Sequence, residues 1–286
     1  KGVYLDLHDS IKKDGLKVIK AKYGNLLEMY ERIVGEDPTK VPMKIYPAPH
    51  YTMGGLWVDY NLMSNVGGLF VLGEANYSVH GANRLGANAL LQCLCDGYFI
   101  SPKTITSWLA NSREIDNRKI DEACEEALNC VDKKIQFLLK IKGNKSVDYF
   151  HRMLGEIMIS KCGISRNGND LKLALEEVEK LSKNFKSNLK IPDTNSGLNI
   201  ELEKALRLED FIELSKLMII DAIEREESCG AHFREEYQTK DGEADRNDDL
   251  FLHIAVWKLN SHNNSHTRYS EDLKFKKINL NTRNYK

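Results

Sequence analysis

"GLFVLGEANYSVHGANRLGANALLQCLCDGYF" runs from Gly68 to Phe99, and the fold turns on how it is read. "LFVL", residues 69–72, is short, continuous and apolar, with a glycine on either side. That is the pattern of a buried strand in a layered α/β sheet. An acid, Glu74, follows it. Farther on, Arg84 stands among Gly81, Ala82, Gly86 and Ala87, and residues 87–100 can run as a helix behind the loop. A guanidinium with so few side chains near it has two readings. It ends a strand on the surface, or it lays its planar fork against a ligand and forms charge-assisted, bidentate bonds to a carboxylate.

The neighbouring residues carry similar pairs of readings. An acid at the carboxyl end of a strand accepts hydrogen bonds from ribose hydroxyls in nucleotide folds, but a glutamate in a loop is commoner than a ligand. The glycine trio of a dinucleotide fingerprint, G-x-G-x-x-G, is absent from the chain. In "PHYTMGG", His50 precedes Gly54 and Gly55. Glycines let backbone approach a planar ligand closely, and a histidine there can donate to a carboxylate, although a structural histidine is the commoner case. His50, Glu74 and Arg84 all fall in one glycine-rich block, residues 45–110. Together they suggest an acid for a sugar and a His/Arg pair for a small anion.

On the amino-terminal side, residues 1–44 read as a strand and two helices, the second closed by Gly35 and Pro38. On the carboxyl-terminal side the chain turns helical. Ile120, Cys124, Leu128, Val131, Ile135 and Leu138 form one apolar stripe. A second helix fits Val147 to Cys162, ended by Gly163. A third opens on Asn169 or Asp170 as cap and carries Leu171, Leu175, Val178, Leu181 and Phe185. The helix through "LMIIDAI" is apolar nearly all round, as the central member of a bundle would be. "LFLHIAVW" and "DLKFKKINL" read as two strands around the polar turn "NSHNNSHT". The fold class expected is α+β, mostly α.

Composition narrows the function. The chain has 286 residues with a net charge of −1, which gives no general attraction to nucleic acid or anionic lipid. Hydrophobic residues make up 42 %, enough for a folded core, and no run approaches the ~18 apolar residues of a bilayer span. The chain opens on a strand-like "GVYLDL" without a signal peptide's apolar run, and is expected to be cut from something longer. Its six cysteines match no zinc spacing. Reduced thiols are expected, with no metal site.

"HYTMGGLWVDYN", the stretch from Gly68 to Phe99, and "REESCGAHFREEY" together resemble the succinate dehydrogenase and fumarate reductase flavoprotein subunit, in its carboxyl-terminal part. The resemblance implies FAD as cofactor and succinate or fumarate as substrate. It implies an iron–sulfur subunit and a membrane anchor as partners, and a peripheral place on the cytoplasmic face of the inner membrane. It divides the chain into the end of a capping domain (1–44), the last piece of an FAD-binding domain (45–111) and a carboxyl-terminal helical domain with terminal strands (112–286). His50 and Arg84 fall on the family's substrate-binding positions and Glu74 on the acid that holds the FAD ribose. Ala89 and Leu90 fall on the pair whose backbone meets the flavin; Ala89 departs from the family's serine there. The family's glycine motif, flavin-linking histidine and proton-transfer arginine find no counterpart here, so the chain alone is expected to be inactive. Arg225, Glu227, His232 and Arg234 are expected to serve an interface or a helix end. L-aspartate oxidase, a soluble fumarate reductase, and a non-catalytic helical interaction module are the competing readings.

Overall fold

The structure, a computed structural model, describes residues 2–46, 50, 53–77, 80–84, 86, 88–112, 117–192, 197–260, 265–275, 277 and 279–281. The chain divides into two compact units, residues 1–52 and 53–286.

In the first unit, β1 (Val3–Leu5) pairs antiparallel with β2 (Met43–Ile45) in the register Val3↔Ile45. Between them lie α1 (His8–Asp14) and α2 (Leu16–Val34), which bury Ile19 and Leu27. Gly35 ends α2 at a φ of 79°, a left-handed conformation that glycine adopts at little cost. The strand, two helices and Gly35 stop expected from sequence are all present.

The second unit opens on turns. Residues 69–72 are not a strand of a parallel sheet. Met63 and Phe70 form a lone antiparallel bridge, with Val71 N–H donating to Leu62 O at 2.9 Å. Val71 is buried and Leu69 exposed. Phe70 and Leu72 are half-buried, so only Val71 is packed away and the run lacks the two packed faces that such a strand needs.

A long helical segment follows: α3 (Asn88–Cys95), a π turn (Asp96–Ile100) and α4 (Ser101–Asn111). Next comes α5 (Asn117–Lys140), whose stripe is exposed at Ile120, Cys124, Leu128 and Val131 and becomes buried only at Leu138. The core lies beyond it, among α6 (Val147–Lys161), α7 (Gly168–Asn188) and α8 (Ile200–Glu224). Ser146, Asn167 and Asn199 cap these three helices through side-chain oxygens. The cap of α7 is Asn167, two residues before the earlier of the expected caps. α8 packs against both α6 and α7, as a central helix should. It buries a single stripe (Ala205, Leu208, Ile212, Ile219, Ala222) and leaves Phe211 and Leu214 exposed.

After a short α9 (Asp248–Phe251), β3 (His253–Asn260) and β4 (Ser265–Asp272) form an antiparallel ribbon, His253↔Asp272 to Asn260↔Ser265. The second strand thus occupies "SHTRYSED" and not "DLKFKKINL". Its inward contacts are polar, which hides it from a hydrophobic pattern. Arg268 meets Asp221 and Glu224 on α8, and His266 meets Glu213.

A buried polar knot closes the end of α8. The Arg234 guanidinium donates to Ala222 O at 2.8 Å, and His232 Nε2 donates to Arg225 O at 2.9 Å. These are carbonyls that a helix end leaves without partners. His232 Nδ1 accepts from Arg166 at 3.0 Å. Glu227 is 2 % exposed, pairs with Arg225 at 2.6 Å and accepts from Asn247 N–H. The helix-end role expected of these residues is the one they have. Burial first, and the three neighbouring arginines after it, hold the His232 pKa down to about 4, against the pull of its bond to Arg225 O.

Two outcomes are expected. Phe150 and Phe185 meet edge-to-face at 5.4 Å in the bundle core, and Phe150→Ala should cost about 3–5 kcal/mol in chemical unfolding. The unfolded chain takes up a proton at the His232 position near pH 6.5, while the folded chain resists until about 4. Stability from this group is therefore complete above pH 6.5 and falls between 6.5 and 4, by at most about 3 kcal/mol. Unfolding free energies measured across that range should slope accordingly, and His232→Gln should flatten the slope.

Candidate functional site

The segment from Gly73 to Arg84 is fixed at three places. The first is Gly73, at a φ of 64°. Its N–H donates to the buried Asp96 carboxylate at 2.9 Å, and its carbonyl accepts from Gln92 Nε2 at 3.1 Å. A Cβ on Gly73 would stand 2.3 Å from Cys93 Sγ, so only glycine fits. Gln92 also bonds Asn76 at 3.1 Å. The second place is Tyr77, whose hydroxyl donates to Glu271 of β4 at 3.1 Å; Trp57 Nε1 reaches the same carboxylate at 3.0 Å. The third is Ala82, whose carbonyl accepts from Ala231 N–H at 2.9 Å. There Gly230, at a φ of 58°, lies so close that a Cβ would be 2.5 Å from Ala82 O.

The Gly-Gly turn serves the chain's own backbone. Gly55 is pressed against residue 75, where a Cβ would be 2.2 Å from Ala75 O, and Leu56 N–H donates to that same oxygen.

Three side chains converge on the braced segment. Arg84 Nη1 is 3.7 Å from Glu74 Oε1, and His80 Nε2 is 3.9 Å from the same oxygen. Neither is a hydrogen bond. The Glu74 oxygen is buried and lacks a hydrogen-bond partner, and so do both ring nitrogens of His80. Asn88 Oδ1 and Gln92 Oε1, on the helix behind, are in the same condition. Ten buried side-chain polar atoms lack a hydrogen bond among the described residues, and five of them belong to Glu74, His80, Asn88 and Gln92. Buried polar groups are normally satisfied, so such a concentration marks a place shaped for something polar.

The structure thus brings Glu74 and Arg84 together, although the sequence reading gave one to a sugar and the other to a substrate anion. Ala89 and Leu90 lie in the first turn of α3, Ala89 half-buried and Leu90 77 % exposed. Backbone N–H groups of a first helical turn have no acceptor within the helix, so this pair can offer backbone donors. His50 belongs to the other unit, where it is exposed in a bend. Its flanking residues 47–49 and 51–52 lie outside the described residues. His80 was passed over in the sequence, although it stands four residues before Arg84; burial with no partner is what distinguishes it. Among the described residues no group of three His, Cys, Asp or Glu side chains could hold a metal, and no helix is long and apolar enough to cross a membrane.

Comparison with known proteins identifies the family. Residues 1–90 match a family profile described as an FAD binding domain, and residues 151–285 one described as the fumarate reductase flavoprotein C-term. The chain is 34 % identical to the succinate dehydrogenase flavoprotein subunit of Bacillus subtilis, over 90 % of this chain and 42 % of that protein. It is 31 % identical to the fumarate reductase flavoprotein subunit of a Serratia species, over 96 % of this chain and 44 % of that one. It therefore spans less than half the length of these relatives. Among solved structures, an Escherichia coli quinol fumarate reductase FrdA chain superposes with a TM-score of 0.82 at 26 % identity, over 98 % of this chain and 46 % of that one. The chain belongs to the succinate dehydrogenase/fumarate reductase flavoprotein family, whose cofactor is FAD.

Proposed function

We infer that the protein works as a flavoprotein subunit in the interconversion of succinate and fumarate. The residue assignments, the domain limits at 44/45 and 111/112 and the partners are part of this reading. One observation carries it: the buried, partnerless polar atoms around Glu74 and His80, in a segment braced on three sides. The donor set suits FAD. Glu74 supplies an acceptor for a sugar hydroxyl, and the first turn of α3, at Ala89 and Leu90, supplies backbone donors for the ring system.

FAD, when bound, supplies the hydride chemistry. This chain's residues bind and orient the diacid. Arg84 grips one carboxylate with its fork. His50, assigned from its H-Y-T-M-G-G motif alone, donates a hydrogen bond to the substrate. A cation held at the carboxylate also steadies the charge that builds there as the neighbouring carbon loses its proton. The Ala231–Ala82 bond fixes the loop that carries the guanidinium. Electrons then pass to an iron–sulfur subunit and a membrane anchor, which hold the assembly peripherally at the cytoplasmic face of the inner membrane. The 34 % identity to a succinate dehydrogenase flavoprotein subunit supports this arrangement.

Arg84→Lys tests the central role. An ammonium cannot reproduce the bidentate fork, and the loss of a charge-assisted contact of about 1.5–3 kcal/mol should lower kcat/KM for succinate roughly 10- to 100-fold, with flavin content unchanged. Near wild-type turnover by the assembled complex would overturn the assignment. Purification of the intact protein without an iron–sulfur partner would overturn the partner reading.

A further inference from the structure

The sequence reading and the family resemblance leave His80 without a role. Its side chain is 8 % exposed, and both ring nitrogens are buried without a hydrogen bond. Nε2 points toward Glu74 Oε1 from 3.9 Å, too far for a bond, and Arg84 Nη1 stands 3.7 Å from that same oxygen. His80 and Arg84 therefore both face the Glu74 oxygen from beyond hydrogen-bond distance, and neither His80 nor that oxygen is satisfied. An imidazole kept from water without a partner is costly, and a protein that only needed to fill the space could use an apolar ring.

The chemistry of the space between imidazole and carboxylate selects its occupant. A carboxylate there would meet the Glu74 carboxylate as a like charge. A purely apolar group would leave both His80 and the Glu74 oxygen unsatisfied. A hydroxyl suits both kinds of neighbour, since it donates one hydrogen bond and accepts others. It would donate to Glu74 and accept from a histidine protonated at Nε2.

We propose that His80 is a cofactor-binding residue: with Glu74 it holds one hydroxyl of the flavin's sugar chains, which occupies the space between imidazole and carboxylate. The proposal rests on the reading of Glu74 as the sugar-binding acid, and it adds a second contact to the same hydroxyl. It also gives the Glu74–Arg84 approach a meaning. Once a hydroxyl donates to Glu74, the guanidinium no longer has to serve as that oxygen's nearest donor and can turn its fork to the substrate.

The test uses the intact protein, with any subunits that co-purify, prepared from flavin-starved cells and titrated with FAD by fluorescence quenching. His80→Phe keeps a ring of similar size without polar atoms, and His80→Gln keeps a donor. His80→Phe should weaken FAD binding about threefold to tenfold, the range of one neutral hydrogen bond, and His80→Gln should recover part of the loss. A packing role predicts the reverse order. FAD analogues each lacking one hydroxyl of the ribityl chain or the adenosine ribose complete the test. One of them should bind wild type and His80→Phe equally and more weakly than FAD binds wild type. Equal binding of FAD by wild type and His80→Phe overturns the role of His80 and leaves the flavoprotein reading standing. Equal binding of FAD and every analogue by wild type, which needs no variant to fold, also overturns it. No FAD binding by wild type at all overturns the flavoprotein reading and this inference with it.

Discussion

The site depends first on how Gly73 is held. Its N–H is bound by Asp96 and its carbonyl by Gln92, and its φ of 64° leaves no room for a side chain against Cys93. Glu74 leaves the backbone at the next residue, so its direction is set there. The helix behind supplies everything that holds Gly73 from within one stretch, residues 92–96. Asp96 opens the π turn, and such turns are often found where a helix must present a residue out of regular phase. A carboxylate that is 6 % exposed is tolerable only when it is well bonded. Asp96 accepts from Gly73 N–H and lies 3.5 Å from Asn76 Nδ2, so the helix and the turn satisfy each other.

The other two restraints come from far along the chain. Glu271, on the ribbon, holds Tyr77, and Ala231, beside the polar knot, holds Ala82. The bundle therefore contributes to the site without lending it a ligand. Its apolar core fixes α8; the knot of Arg225, Glu227, His232 and Arg234 satisfies the end of α8 and sets the path of residues 225–237; and that path ends against the loop carrying Arg84. A neutral His232 suits this task, because it donates to Arg225 O and accepts from Arg166 at once.

Legibility in the sequence follows the kind of force involved. The helices of the bundle were readable because a buried stripe repeats every three or four residues, as Leu171, Val178, Leu181 and Phe185 do. The stripe of α5 was readable too, but its burial was not, since periodicity reports an apolar face and not what covers it. β4 was misplaced because Arg268 and His266 tie it to acids on α8, and ion pairs leave no alternation to read. "LFVL" was misread because a short apolar run looks the same whether all of it is packed or, as here, Val71 alone is buried. Within the site, Glu74 and Arg84 stood out through their glycine-rich setting. His80 did not, because nothing in a sequence distinguishes a buried, partnerless imidazole from a solvated one. Asp96 and Gln92 were hidden for a related reason: their task is to hold a backbone turn some twenty residues earlier.

Charge places an order on the proposed roles. With Arg84 3.7 Å from Glu74, the two nearly neutralise each other. A diacid approaching Arg84 then meets a guanidinium already engaged, with an anion directly behind it. At about 4 Å, two unit charges near a protein surface interact by up to roughly 4 kcal/mol, enough to hold off a second carboxylate. A hydroxyl that donates to Glu74 spreads that charge and supplies the hydrogen bond the oxygen lacks. The guanidinium is then worth more to a substrate carboxylate than to Glu74. On these roles the sugar chain of the cofactor must be seated before the diacid can be gripped, and the same pair of charges that builds the site keeps substrate out of it until the flavin is there to react.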